Sequence, residues 1–434
     1  MPTGRASALP VGSTLSSVRG ETMSRYTILS AALIAALTTT TATAGPLTFD
    51  AALAAAKGHA PSLRARNLGA DSARASRGAA GALPDPKLAL GIDSFPVSGP
   101  LAFEPNRDNF TWARVGLSQD IPNAAKRHAQ QARADTDIAA ADAEAVAEAR
   151  TVEVETAIAW ITLAYAERRL VALDAVRAKL DRLVRTSPSA VSAGSARPAQ
   201  TLAGRQGLAA LDDRCDELVS AVARARADLI RWTGDPAPVV AGPVPDFMVD
   251  PAQLRSALDR NPMLAAIAAR VGQADADVRL AQADRRPDFG VDVSYQRRDP
   301  RFGDYVSAGV TIGLPLFKSH RQDPLIAARA ADAAKRRAEQ EDTARQLAAG
   351  LDASLADHVM HHAQWMRSKE TLEPLARERV DLETASYAGG RAGLLDVVDA
   401  HSALANAALE TLDREALVAI DGARLTLTYR SDPR

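Results

Sequence analysis

The chain has 434 residues, and its 52 Lys and Arg against 53 Asp and Glu leave a formal charge of -1, which excludes a broad basic face for nucleic acid. Only 8 Phe, 4 Trp and 6 Tyr stand among abundant alanine, a composition suited to long close-packed helices rather than to one bulky enzyme core. The single cysteine, Cys215, excludes an intramolecular disulfide and a cysteine-cluster metal site, and it lies far from any position that could carry a lipid anchor.

At the start of the chain, Met23-Ser24-Arg25 precedes an apolar run from Tyr26 to Leu37, and Ala42-Thr43-Ala44 offers small residues for cleavage before Gly45. These features predict a secretory signal peptide over residues 1–44, with Met23 as an alternative start. The run is too short to span a membrane as a mature helix, and no later segment is long and apolar enough to do so. Cleavage removes Arg5, Arg19, Arg25 and Glu21, which moves the formal charge from -1 to -3.

A helix is expected from about Thr48 to Ala82, ending before Pro84-Asp85-Pro86, where two prolines stop helical hydrogen bonding. From Leu88 to Pro96 the pattern alternates, with Leu88, Leu90 and Ile92 on one side and Ala89, Gly91 and Asp93 on the other, the period of a strand. A Pro/Gly-bearing loop from Val97 to Asn109 leads to a second strand, Thr111 to Ile121, with Ala113, Val115 and Leu117 on its apolar side. Then 63 residues from Ala124 to Thr186 carry no glycine or proline, about 95 Å of helix. Leu163, Ala166, Leu170, Leu173, Val176, Leu180 and Leu183 step by three and four along it, a coiled-coil seam. A turn at Ser187 to Pro198 containing Gly194 returns the chain into a helix from Pro198 to Thr233.

The second half repeats the order. At a constant offset of 201, Leu53, Pro61, Leu63, Pro86, Leu88, Leu90 and Ile92 fall opposite Leu254, Pro262, Leu264, Pro287, Phe289, Val291 and Val293. Strands are expected at Phe289 to Tyr295 and Val306 to Leu314, joined by a shorter loop. A long helix follows, opening with Asp323 as cap and Pro324 in its first turn and kinking at Pro374, then a turn with Gly389, Gly390 and Gly393, and a helix from Leu394 to Tyr429. The organisation is therefore a signal peptide at 1–44, a first repeat at 45–240 and a second at 241–434, mainly α with a small β part. Each strand has about the length that a tilted strand needs to cross hydrocarbon. Four strands cannot close a membrane barrel, and an open edge cannot lie in lipid, so several chains would have to share one.

Three stretches carry a family resemblance: Leu47-Thr48-Phe49-Asp50-Ala51-Ala52-Leu53 with Pro61, Val115-Gly116-Leu117-Ser118-Gln119-Asp120-Ile121-Pro122, and Asp396-Val397-Val398-Asp399-Ala400. In this order the chain from Leu47 to Tyr429 resembles the TolC family of outer-membrane efflux channels. Asp85-Pro86-Lys87, Ser94-Phe95-Pro96 and Asn123-Ala124-Ala125-Lys126-Arg127 look most like its heavy-metal branch. The resemblance implies a homotrimer in outer-membrane lipid, with twelve strands in one β-barrel and the helical hairpins forming an α-barrel tunnel in the periplasm. It further implies docking on a periplasmic membrane-fusion adaptor and an inner-membrane resistance-nodulation-division pump, with heavy-metal cations as cargo. Gln200-Thr201-Leu202-Ala203 replaces the acidic motif in the first repeat, so only the second would supply it.

Asp396 and Asp399, three residues apart near a helix start, share roughly one face and favour the positive helix end. The resemblance places them at a periplasmic gate, where three chains would set six carboxylates around an axis. The glycine turns at Gly194 and at Gly389, Gly390 and Gly393 are the expected adaptor-docking tips. His358, His361 and His362 have spacings at which two imidazoles could face one metal, but His358 and His362 also continue the stripe Leu347, Leu351, Leu355 as buried or tunnel-lining packing residues. Cys215 falls on an apolar stripe with Leu211, Leu218, Val222 and Leu229. HExxH, GxSxG, phosphate-loop and paired CxxC motifs are absent, so no enzyme and no cofactor is expected. Export of drugs or other organic toxicants, and a structural periplasmic coiled-coil protein, are the alternative readings.

Overall fold

Helix starts in this chain are set by capping side chains and first-turn prolines. In the computed structural model, which describes residues 45–192 and 198–430, Thr48 caps α1 (Phe49–His59), its Oγ1 accepting the Ala51 N–H at 3.3 Å. The helix expected to run unbroken from Thr48 to Ala82 is two helices, because Pro61 has no N–H to continue α1 and instead opens α2 (Pro61–Arg77). The second half does the same. Asp250 caps α5 (Pro251–Ala257), a single 3-10 turn follows, and Asn261 caps α6 (Pro262–Ala283) by accepting the Met263 N–H at 2.9 Å.

The four strands form one antiparallel sheet in chain order: β1 (Lys87–Asp93), β2 (Trp112–Ile121), β3 (Asp288–Arg297) and β4 (Tyr305–Gly313). β1 stops at Asp93 rather than at Pro96, where Ser94 turns the chain with a φ of 57°. In register, Leu88 stands opposite Leu117, Leu117 opposite Val293, and Val293 opposite Ala308, so the apolar residues of all four strands share one face. The outer edges of β1 and β4 have no partner strand among the described residues.

Helix α3 (Ala124–Ser192) runs 69 residues, about 104 Å, past the expected end at Thr186. Helix α4 (Pro198–Thr233) returns along it, and α7 (Gln322–Arg367), α8 (Glu373–Ala388) and α9 (Leu394–Tyr429) build the corresponding hairpin. The kink expected at Pro374 takes the form of a π-helical turn, Ser368–Leu372, just before it. A wider turn accommodates a proline that cannot donate to the carbonyl four residues back. Arg414 on α9 steadies this turn, donating to the Gln364 carbonyl at 3.2 Å and to Ser368 Oγ at 2.5 Å. Asp323 does not cap α7. The N-cap is Arg321, and the Asp323 carboxylate in the first turn instead takes the Arg285 guanidinium at 2.5 Å.

The core lies along α3. Leu163, Ala166, Leu173 and Leu180 of the expected seam are buried against α4 and α9. Each fully buried leucine contributes about 1.5–3 kcal/mol. Trp160 is fully buried, donates its indole N–H to the Leu47 carbonyl at 2.9 Å and meets Phe49 edge-on at 5.5 Å. The opening residues Leu47 to Phe49 thus anchor the chain to the middle of its longest helix. At the other end of α9, Arg150 donates to the Leu427 carbonyl at 2.6 Å and the buried Glu153 receives Arg430 at 2.8 Å. None of the helices among the described residues is long and apolar enough to cross a membrane.

Candidate pore-forming surfaces

The sheet inverts the usual rule for a soluble hairpin, in which the apolar face is covered. Leu90 is 72% exposed, Val293 54% and Val310 69%, and Leu88, Ile92, Leu117, Phe289, Val306 and Ile312 are exposed with them. A contiguous apolar surface of this kind marks contact with lipid or another protein. The opposite face carries Lys87, Gly91, Arg114, Ser118, Asp292, Ser307 and Thr311, polar or small, with Trp112 and Tyr305 at its outer end. Apolar on one face, polar on the other and unpaired at both edges, the sheet has the features of a segment of a larger barrel with a wet interior.

Sheet and helices join through Asn123, which is buried between β2 and α3. Its Oδ1 caps α3 by accepting the Lys126 N–H at 2.8 Å, while its own backbone N–H donates to Asp288 Oδ1 at 2.8 Å. Lys126 pairs with Asp284 at 2.8 Å, and that hydrogen bond holds its ammonium above the ordinary pKa of 10.5 despite partial burial. Arg127 donates to the Gly81 carbonyl at 2.8 Å. The Asn123 to Arg127 motif is therefore the corner that passes the chain from strand to rod.

At the far end of the sheet, Arg298 donates to the Gly303 carbonyl at 2.9 Å and to Asn109 Oδ1 at 2.9 Å, and it stacks on the Tyr305 ring at 4.0 Å. Arg301 reaches the Asn106 carbonyl at 2.6 Å. These two arginines pin the two outer loops together. Sequence reading assigned them no role; the signal was a short loop, Arg297 to Asp304, dense in Arg and Asp.

At the opposite extreme of the hairpins, α8 ends in a Schellman closure. Gly390 adopts a φ of +69° and the Arg391 N–H returns to the Ser386 carbonyl at 2.8 Å. Gly393 is the N-cap of α9, and its N–H donates to Asp396 Oδ2 at 2.8 Å. Asp396 thus closes the turn as well as standing exposed beside Asp399. Gly194 lies outside the described residues, as does the signal peptide at 1–44, and the expected turn from Ser187 is helical as far as Ser192. Gly204 and Gly207, which sequence reading passed over, let α4 approach α9 here, since a Cβ on Gly207 would stand 2.5 Å from Val398 Cγ1. The spacing Gly-x-x-Gly was the available signal. Cys215 packs beside this apolar cluster with its Sγ 3.6 Å from Asp174 Oδ1, and burial, then the Asp174 charge, raise its thiol pKa.

The three histidines do not converge. His361 Nδ1 is 2.7 Å from Asp421 Oδ2 on α9, whereas His358 and His362, with ring centroids 6.5 Å apart, border a cavity of about 470 Å³ beside Phe247 and Trp365. Burial pushes His358 below its ordinary value of 6.5. Among the described residues no group of three His, Cys, Asp or Glu side chains is placed to hold a metal ion. His361 thus stands against Asp421 on α9, while His358 and His362 face the cavity.

An open sheet with one lipid-compatible face, carried on paired helices far longer than the sheet, defines a membrane channel subunit. The model of the outer membrane efflux protein family matches residues 254–428, and the chain is similar to outer-membrane transport proteins rather than to enzymes. It is 23% identical over 376 residues to the cobalt-zinc-cadmium resistance protein CzcC of Cupriavidus metallidurans, covering 85% of this chain and 86% of that one. Among solved structures, the CmeC outer membrane channel of Campylobacter jejuni superposes with a TM-score of 0.76 at 12% identity, covering 89% of this chain and 87% of that one. CusC, crystallised in a study of folding and transmembrane channel formation, gives 0.75 at 14% identity, covering 88% and 92%. At these identities the solved structures establish the fold.

Proposed function

We propose that three copies of the chain, each cleaved after residue 44, close one twelve-stranded barrel in the outer membrane. Their paired repeats, 45–240 and 241–434, would then enclose a periplasmic tunnel. The observation that carries this reading is the four-stranded sheet with an exposed apolar face and two unpaired edges, an arrangement that lipid tolerates only when other strands complete it. In this reading the tunnel receives cargo from a periplasmic membrane-fusion adaptor and an inner-membrane resistance-nodulation-division pump, which engage the turns at Gly194 and at Gly389, Gly390 and Gly393.

The cargo is heavy-metal cations. The relative named for cobalt, zinc and cadmium resistance supports this choice, as does the exposed acidic pair at the tunnel tip. Asp396 and Asp399 form the periplasmic gate: six carboxylates around one axis attract cations and repel anions, and their mutual repulsion opposes closure until cations or basic groups offset it. Channel chemistry here is passive, with the pump supplying the work. A strain deleted for this chain, grown on zinc, cobalt, cadmium, copper, silver and nickel salts and on a panel of drugs, tests the proposal. Sensitivity to metal salts, reversed by the parent chain but not by one with Trp substituted for both Gly390 and Gly393, is the expected result. Sensitivity confined to drugs would reassign the cargo to organic toxicants.

A further inference from the structure

Strand parity puts Asp292 on the polar face of the sheet, in a cross-strand row formed by Lys87, Ser118, Asp292 and Gly309. The other carboxylates of that face have partners. Asp93 takes Arg114 at 3.0 Å, Asp120 takes Lys87 at 2.6 Å, and Asp288 accepts the Asn123 N–H at 2.8 Å with Lys126 at 3.7 Å. Asp292 has no ion pair among the described residues. Its place is made by the glycine opposite: a Cβ built on Gly309 would stand 2.6 Å from Asp292 Oδ1, closer than a side chain can sit. Gly309 does not adopt a left-handed φ, so the backbone alone does not call for glycine there. What the glycine provides is space over which the carboxylate lies. The same carboxylate lines a cavity of about 550 Å³ at the base of the sheet, with Ser118, Gly290 and Thr311 as small neighbours.

An unpaired carboxylate is costly in a dry site and stable in a wet one. We propose that Asp292 is a selectivity-determining residue in the barrel section of the pore, a fixed negative charge facing the lumen that draws cations through it. The inference rests on the channel reading above, and three copies would set three such charges at one level of the barrel. It is separate from the tip aspartates, which lie at the other end of the long helices.

Trimers purified from outer membranes and inserted in planar bilayers under a salt gradient test this. For Asp292→Asn, which keeps the side-chain shape, the cation-to-anion permeability ratio should fall roughly twofold near 10 mM salt, where screening acts over about 30 Å, and should hardly change near 1 M, where it acts over about 3 Å. In a Cys215→Ser background, Asp292→Cys should lose selectivity in the same way. An anionic water-soluble thiol reagent should restore it, and a cationic reagent should reverse it. An unchanged ratio at low salt in a conducting channel, or a thiol that does not react from water, overturns the assignment and leaves the channel standing. Loss of trimers in both variants would make the carboxylate an assembly contact and equally overturn it. Parent trimers that pass no current overturn the channel reading itself and this proposal with it.

Discussion

If the exposed face of the sheet meets hydrocarbon, the cost of a charge on it must depend on depth. β3 has 10 residues, about 33 Å of strand, and a tilt near 45° reduces this to a rise of about 23 Å, close to the apolar band of about 25 Å in such barrels. Val293, near the middle of β3 and 54% exposed, therefore lies close to the midplane, and Phe289 lies near one boundary. Val293→Arg should cost about 2–4 kcal/mol per chain and Phe289→Arg about 0–1 kcal/mol. Ser307→Arg, on the polar face of β4 and exposed, should cost close to nothing. Refolding into lipid vesicles over a urea series, followed by heat-modifiable mobility on gels, gives the midpoint for each variant. The reasoning is refuted if the three arginines cost the same, or if Ser307→Arg costs more than Val293→Arg.

Truncating Trp160 to Ala removes a fully buried indole and its hydrogen bond to Leu47, and denaturant unfolding should show a loss of about 3–5 kcal/mol. Gly207→Leu should cost about 1–3 kcal/mol, because its Cβ would collide with Val398 and part α4 from α9; cleavage by protease at the hairpin tip should rise while the rest of the trimer stays resistant. Burial lowers the pKa of His358 and of His401 in the folded chain relative to 6.5, with Asp421 opposing the shift at His358 and the Lys179 charge adding to it at His401. The unfolded chain then binds protons first, so the stability that these residues contribute is complete above pH 6.5 and declines as pH falls through the folded values. Thermal unfolding between pH 7 and pH 5 should show a decline that a His358→Gln, His401→Gln double variant flattens, and an equal slope in both proteins would contradict the assignment.

The rods and strands were legible because their periods are unambiguous. The three-and-four steps from Leu163 to Leu183 fix a helix face, and the alternation from Leu88 to Ile92 fixes a strand face. The break at Pro61 escaped because apolar spacing continues through it, and only the missing N–H interrupts the hydrogen-bond ladder. The three histidines divide between two surroundings for a geometric reason. A step of three residues turns a helix by 300°, and that rotation carries His361 toward Asp421 while His358 and His362 stay on the side of Phe247. Asp396 illustrates a different limit. Its position near a helix start suits both a cap and a lumenal charge, and it makes the capping bond to Gly393. Sequence cannot state distances across a symmetry axis, because those belong to several chains at once.

The most direct test of the account is the mass of the assembly extracted from outer membranes. Native mass spectrometry after mild detergent extraction should give three chains, each starting at Gly45, with recovery from the outer-membrane fraction. A monomer released in the soluble fraction on cell breakage, its apolar sheet face covered by another protein, would contradict it.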